Sequence, residues 1–326
     1  MAKITLAKGS FQCLDTNRLG SVIEKYSDFN GNLQICEHME GKGNIEYDKD
    51  TPLVIFHTEG DPKYIDIDYF SNFGKVIHCN ANMSKGIFFN YWAYDYLTHI
   101  KELGVQTNNQ NTFAKKFLCL NGRPDWHRYY TLQMLYDTGL YDTGLVSFLN
   151  RYNQLNNNYH YDTFKEIYKK DTPEIDHMRD RHSHLVVDRS NNEIHKNDRL
   201  HNKWIYEETS ISLVTETYPE SSRGLFITEK TWKPIANCHL ALYIGQPNLL
   251  EFLRQQGYDT FDDILDNTYD TIHEDISRFN SAIHSLSKYL NSIDSIDKND
   301  IQQRLKYNQQ RFLQMKISNE EIQAWL

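Results

Sequence analysis

Glu216, Glu229 and Lys230 flank a short gap between two segments, Ser212-Leu213-Val214-Thr215-Glu216-Thr217 and Phe226-Ile227-Thr228-Glu229-Lys230-Thr231-Trp232. The first segment is apolar and β-branched, as a buried strand is. Thr228 followed by Glu229 has the composition of a helix start. Carboxylates and an ammonium group thus gather where the C-terminal end of a strand meets the N-terminus of a helix. In open α/β sheets that crevice receives ligands. Its first helical turn offers N–H groups and the positive end of the helix dipole, which suits phosphate. Lys230 is the candidate counter-charge. Thr228, Glu229 and Glu216 are candidates for further contacts to the same ligand.

A second strand–turn–helix lies upstream. Lys116-Phe117-Leu118-Cys119-Leu120 reads as a strand, Asn121-Gly122-Arg123-Pro124-Asp125 as a turn, and the stretch through Arg128, Leu132 and Leu135 as a helix. A guanidinium matches a diphosphate bidentately better than an ammonium does. Arg128, one helical turn past the loop, and Arg123, within it, are both candidates. Nearer the start, the buried strand Pro52-Leu53-Val54-Ile55-Phe56-His57 runs into Glu59 and Asp61. Glu59 is the candidate general base for relieving an attacking hydroxyl of its proton.

Other groups read as bystanders. Asp66-Ile67-Asp68 has the form of a metal–diphosphate triplet but follows a proline-bearing loop, not a long buried strand. His177, His182 and His184 do not have the spacing of a helical ligand pair. The five cysteines, Cys13, Cys36, Cys79, Cys119 and Cys238, are scattered and form no CxxC, as buried reduced thiols do. No metal site is expected. A formal charge of −9 argues against a general nucleic-acid binder. The exception is local: residues 177–203 hold six Lys/Arg against four Asp/Glu, plus five His. No apolar run is long enough for a membrane span, and a soluble, cytoplasmic protein is expected.

These residues need a scaffold that brings strand ends together. The first hundred residues alternate strand-like and helix-like pieces, with Lys75-Val76-Ile77-His78-Cys79 as a strand and Phe88 to Leu103 at helical period. The polar stretch Val105–Thr112 reads as a linker. Leu240-Ala241-Leu242-Tyr243-Ile244 is a strand ending at Gly245-Gln246-Pro247. Residues 135–145 give Leu-Tyr-Asp-Thr-Gly twice and then Leu, a local duplication too short for a solenoid. Residues 151–203 read as loops and short helices. From Ile264 onward the pattern is helical, with Ile276, Phe279, Ile283, Leu286 and Leu290 on one face. The expectation is an α/β chain of GT-B-like architecture, two Rossmann-like domains facing across a cleft. Residues 1–110 would form the acceptor side, 111–265 the nucleotide side, and 266–326 a C-terminal helical extension.

Thr215-Glu216-Thr217, Thr228-Glu229-Lys230 and Leu242-Tyr243-Ile244-Gly245-Gln246-Pro247 together resemble the motif set of the alpha-1,3-fucosyltransferases. The longer string through Gly257-Tyr258-Asp259-Thr260-Phe261 is similar to glycosyltransferase-like proteins of large tailed bacteriophages. The chain departs from the fucosyltransferases at Thr217, at Trp232-Lys233-Pro234 and at Cys238-His239-Leu240. The resemblance implies a metal-independent glycosyltransferase that uses a nucleotide-diphosphate sugar. Lys230 and Arg128 would grip the diphosphate, and Glu229 would contact the donor. The acceptor would be a glycan, a small molecule or a hydroxymethylated base in phage DNA, the last placing the protein in a host cytoplasm. The alternative is a non-catalytic nucleotide- or carbohydrate-binding protein of the same fold.

Overall fold

The structure, a computed structural model, describes residues 3–9, 18–38, 45–57, 66–103, 116–148, 154–180 and 203–326. The chain is α/β and divides into two compact units. Unit 1 holds residues 1–104, 220–229 and 311–326, and unit 2 holds 105–219 and 230–310.

In unit 1 the described elements begin with β1 (Lys3–Leu6), β2 (Lys8–Gly9), α1 (Arg18–Tyr26), β3 (Asn32–His38), β4 (Ile45–Glu46) and β5 (Leu53–His57). They continue with α2 (Ile67–Phe70), β6 (Lys75–His78), β7 (Ile87–Phe88) and α3 (Tyr91–Leu103). Five strands form a sheet in the order β1-β3-β5-β6-β7, parallel throughout, and β2 pairs antiparallel with β4. All of β5 is buried, as a central parallel strand covered on both faces must be. β3 is harder to read in sequence because Gln34 and Glu37 interrupt its apolar run. Both are buried and satisfied. Gln34 donates to the Asp48 and Thr51 carbonyls and accepts from the Asp48 N–H, and Glu37 accepts from Leu19 N–H in the first turn of α1. The helix expected from Phe88 starts at Tyr91, because Ile87–Phe88 joins the sheet edge beside β6.

In unit 2, β8 (Phe117–Asn121) leads to α4 (Trp126–Asp137), β9 (Gly144–Phe148), α5 (Gln154–Tyr168), α6 (Pro173–Asp180) and α7 (Lys203–Glu207). Then follow β10 (Ile211–Thr215), α8 (Glu229–Ala236), β11 (Leu240–Ile244), α9 (Leu249–Gln255), α10 (Asp275–Ser292) and α11 (Lys298–Leu313), whose last turn passes into unit 1. The sheet order is β11-β10-β8-β9, all parallel. From β8 the chain builds outward to β9 on one side, then returns to lay β10 and β11 on the other. The order therefore reverses between β8 and β10, which is a topological switch point. By contrast, the strands described in unit 1 run in sequence order across their sheet.

The stretch expected as one helical extension, 266–326, divides between the units. α10 packs its Phe279, Ile283, Leu286 and Leu290 face into unit 2. α12 (Asn319–Trp325) belongs to unit 1, where Trp325 meets the Phe89 ring edge-on. The chain also leaves unit 2 after Pro219 and returns at Lys230. Over that excursion the Asn80 amide donates to the Arg223 carbonyl, and Ala81 N–H donates to the Leu225 carbonyl.

Over 151–203, where loops and short helices are expected, 181–202 lie outside the described residues, α6 and α7 are short, and α5 runs for 15 residues. Its Tyr161, Phe164 and Tyr168 sit at i, i+3 and i+7, and Tyr161 and Phe164 pack on Tyr129 of α4. A narrow aromatic stripe thus holds the helix against α4.

The duplicated pentapeptide takes two conformations. The first copy ends α4: Gly139 has φ 66°, Leu140 N–H bonds the Leu135 carbonyl and Gly139 N–H the Tyr136 carbonyl, a Schellman close. The second copy forms a 3-10 turn, Tyr141–Thr143, and Gly144 then opens β9. A Cβ at Gly144 would lie 2.4 Å from the Phe117 ring, so only glycine fits there. Tyr136 and Tyr141, equivalent in the two copies, stack at 4.1 Å. No helix among the described residues is long and apolar enough to cross a membrane.

Candidate functional site

The C-terminal edge of the unit 2 sheet, at the switch point, gathers the polar residues. β8 and β10 pair at Ile211↔Phe117 and Ser212↔Leu118, near their N-terminal ends. At the far end the Thr215 hydroxyl donates to Asn121 Oδ1 at 2.7 Å. Asn121 also donates to the Ser147 carbonyl at 3.1 Å, so one buried amide ties together the ends of β9, β8 and β10.

Asp125 opens α4 without capping it. Its carboxylate turns to Arg128, at 2.7 Å from Nη1, with Arg123 Nε at 4.0 Å and His160 Nε2 of α5 at 3.6 Å. Arg128 also donates to the Arg123 carbonyl. Burial alone would raise the Asp125 carboxyl, but the surrounding cations, led by Arg128, prevail and hold it at about 2. Arg128 is only 1% exposed, whereas the Arg123 side chain is 44% exposed. Of the two arginine candidates, Arg123 faces solvent and Arg128 is an internal charge paired with Asp125.

His127 lies between Asp125 and β10. Its Nε2 sits 2.9 Å from the Glu216 carbonyl, and because a carbonyl only accepts, Nε2 carries the proton. Burial, helped by the neighbouring Arg128 charge, pushes the imidazole down to about 3, so it is neutral near pH 7. It pins the α4 start to the end of β10.

Glu216 is buried with its carboxylate turned to the start of α8. One oxygen accepts from Thr231 N–H at 3.2 Å and the Thr231 hydroxyl at 2.6 Å, the other from Thr217 N–H at 3.1 Å. Lys230 donates to the Thr217 hydroxyl at 2.9 Å and stays half-buried. Glu216, Thr217, Lys230 and Thr231 therefore form one connected network in unit 2. Thr228 is buried and Glu229, the first residue of α8, half-buried; both group with unit 1. The helix-start donor of Thr231 is thus met by the chain's own carboxylate. α9 repeats the device, with Asp270 accepting from Leu250 and Glu251 N–H.

Glu59 and Asp61 lie outside the described residues, as do His182, His184 and the linker at 105–112. His57, which leads into them, is buried at the end of β5. The Asp66 and Asp68 carboxylates have local partners. Asp66 caps α2 through Tyr69 N–H, and Asp68 pairs with Lys85 at 2.6 Å. Cys36, Cys79, Cys119 and Cys238 are buried thiols outside any disulfide. Among the described residues no group of three His, Cys, Asp or Glu is arranged to hold a metal ion.

Three residues of this edge escape a sequence reading: Asp125, His127 and Arg278. Asp125 and His127 adjoin the chosen arginines, but only the fold turns them inward. Arg278 is 1% exposed on α10 and donates to the carbonyls of Gly245 (2.8 Å), Pro219 (2.7 Å), Ile272 (2.7 Å) and His273 (3.2 Å), and to Asp275. It clamps the loops leaving β10 and β11. The signal for it was an arginine beside Phe279 on an otherwise apolar helix face.

Fold and edge together define an α/β protein with two parallel sheets and a candidate site at the switch point of the second. Compared with known proteins, the chain matches no family model, no curated protein and no solved structure.

Proposed function

We propose that the unit 2 edge binds the diphosphate of a nucleotide sugar and that the protein is a GT-B-class glycosyltransferase acting on an acceptor hydroxyl. The observation that carries this reading is the switch point: Arg123, Glu216 and Lys230 all belong to segments leaving β8 and β10 where the strand order reverses. A fold of this kind serves many chemistries, so the sugar donor rests on the resemblance of Thr228-Glu229-Lys230 and Leu242–Pro247 to the fucosyltransferase motifs. In this reading Lys230 and Arg123 meet the charge that develops on the departing diphosphate, where a positioned donor contributes most. Arg128 acts from behind, through Asp125 and the Arg123 backbone. Glu59 is the proposed base. The acceptor is a glycan, a small molecule or a hydroxymethylated base in DNA, and the basic character of residues 177–203 supports the last. The test is a thermal-shift panel of GDP, UDP, CDP and their sugars. One nucleotide family should raise the melting midpoint. If none does, the reading falls.

One observation favours a second reading. Thr231 at the α8 start is already met by Glu216, and the Arg128 charge by Asp125, as in a site that binds without having to respond to charge development. A non-catalytic nucleotide-binding protein would shift in the same panel yet release no nucleoside diphosphate from any sugar donor.

A further inference from the structure

A cavity of about 70 Å³ lies in unit 2 at the opposite edge of the sheet from the candidate site. Its floor is the N-terminal end of β10 and β11, where Ser210 precedes one strand and Leu240 begins the other. Tyr289 near the end of α10, Ile293 after it, and Ile301 and Leu305 of α11 close over it. Lys298 stands at its exposed margin.

The polar groups at the strand end of the wall have partners, and Lys298 and half-buried Gln302 supply the rest of its polar lining. His239 Nε2–H donates to the Thr209 carbonyl at 2.8 Å, and its Nδ1 accepts from the Ser212 hydroxyl at 2.8 Å. The Thr209 hydroxyl donates to the Ile205 carbonyl at 2.6 Å, and the Ser210 hydroxyl to the Lys116 carbonyl. Tyr289 is buried in the same wall. Burial keeps His239 neutral, pushed down to about 4. With those strand-end groups engaged, the surface left to a guest is chiefly that of Leu240, Ile293, Ile296, Ile301 and Leu305, which suits an apolar group.

The cavity also abuts the far end of the helix that carries Lys230. Cys238 and His239, both in its lining, follow directly on α8, and Cys238 is held at φ 51°, a left-handed conformation rare outside glycine. Gln309 of α11 donates to the carbonyl of Ala236, the last residue of α8, at 2.6 Å.

We propose that this cavity is a second ligand site, specific for a small uncharged apolar molecule or the alkyl or aryl end of one. It does not depend on the nucleotide reading. The probe is benzene, added to the full chain in thermal unfolding, with benzoate as its charged counterpart. Benzene near saturation should raise the wild-type midpoint by about 2 °C or more, and benzoate should not. Leu305→Ala, which enlarges the cavity, should unfold earlier but gain more from benzene. Ile301→Phe, which fills it, should gain nothing. In parallel, amide shifts in the wild type on adding benzene should concentrate at residues 209–210, 238–240 and 289–305. This measurement stands even if Ile301→Phe does not fold. The proposal is overturned by no benzene response in either wild type or Leu305→Ala, by an equal response in Ile301→Phe or to benzoate, or by amide shifts confined to other regions.

Discussion

Thr231 donates both its backbone N–H and its hydroxyl to one oxygen of the Glu216 carboxylate, at 3.2 and 2.6 Å. The strand end thereby caps the helix that follows it, across the whole 220–229 excursion. The cap leaves Lys230, one residue earlier, as the cation of that turn, held by Thr217.

If Glu216 is foremost a cap, Glu216→Gln should lower unfolding free energy by about 1 kcal/mol through loss of charge at a helix N-terminus, and Glu216→Ala by about 2–3 kcal/mol. Urea unfolding measures both. Unchanged stability together with lost nucleotide affinity would assign Glu216 to the ligand instead.

Arg128 and Lys230 should separate cleanly. Arg128→Ala leaves the buried Asp125 without its closest counter-charge and should cost about 3–5 kcal/mol, seen as a large fall in the urea midpoint. Lys230→Ala and Arg123→Ala should shift stability by no more than about 1 kcal/mol, since neither is deeply buried. Both should weaken nucleotide-diphosphate binding or slow transfer, by about 2–4 kcal/mol if they act on the departing phosphate. A pure rise in KM would mean uniform binding of donor and transition state.

Acid stability should report His127 and His239. Both are buried neutral, with folded values of about 3 and about 4 against an ordinary 6.5. The unfolded chain therefore binds more protons than the folded one between those values and 6.5, and stability falls as pH falls through that window. Each contributes a slope approaching about 1.4 kcal/mol per pH unit. Asp125, depressed to about 2 from 3.8, adds loss only below pH 4. Urea midpoints at pH 7, 6 and 5 should decline, and His127→Gln should flatten the decline. A pH-independent midpoint over this range would show that the histidines charge in place.

Transfer should persist in EDTA, because the proposed counter-charges for the diphosphate are side chains. Abolition by chelation, with recovery on adding Mn²⁺ or Mg²⁺, would move attention to carboxylates such as Asp66 and Asp68.

Much of both sheets was legible along the chain. β5 of unit 1 and β8, β10 and β11 of unit 2 announce themselves as apolar runs, and α10 as a 3.6-residue stripe, because burial on a regular element imprints its period on the sequence. β3 and α5 were not, for opposite reasons. Gln34 and Glu37 hide a buried strand behind satisfied polar side chains, and α5 shows only a narrow aromatic stripe in a mostly polar sequence. The division of residues 266–326 between the units was equally out of reach, since periodicity says which face is buried but not against what.

The sequence by itself determined that a cationic helix start follows a carboxylate-bearing strand end, and that a strand, a turn with Arg123 and a helix with Arg128 precede them. Local propensity and polarity suffice for that. The tertiary structure decided which charges answer one another. Arg128 went inward to Asp125, Glu216 to Thr231, and Arg278 to the loops after β10 and β11. These partners lie far apart along the chain or differ by one turn of a helix. Their pairing depends on strand order and on which side chains are desolvated, and a buried charge takes whatever partner the fold brings within hydrogen-bond reach.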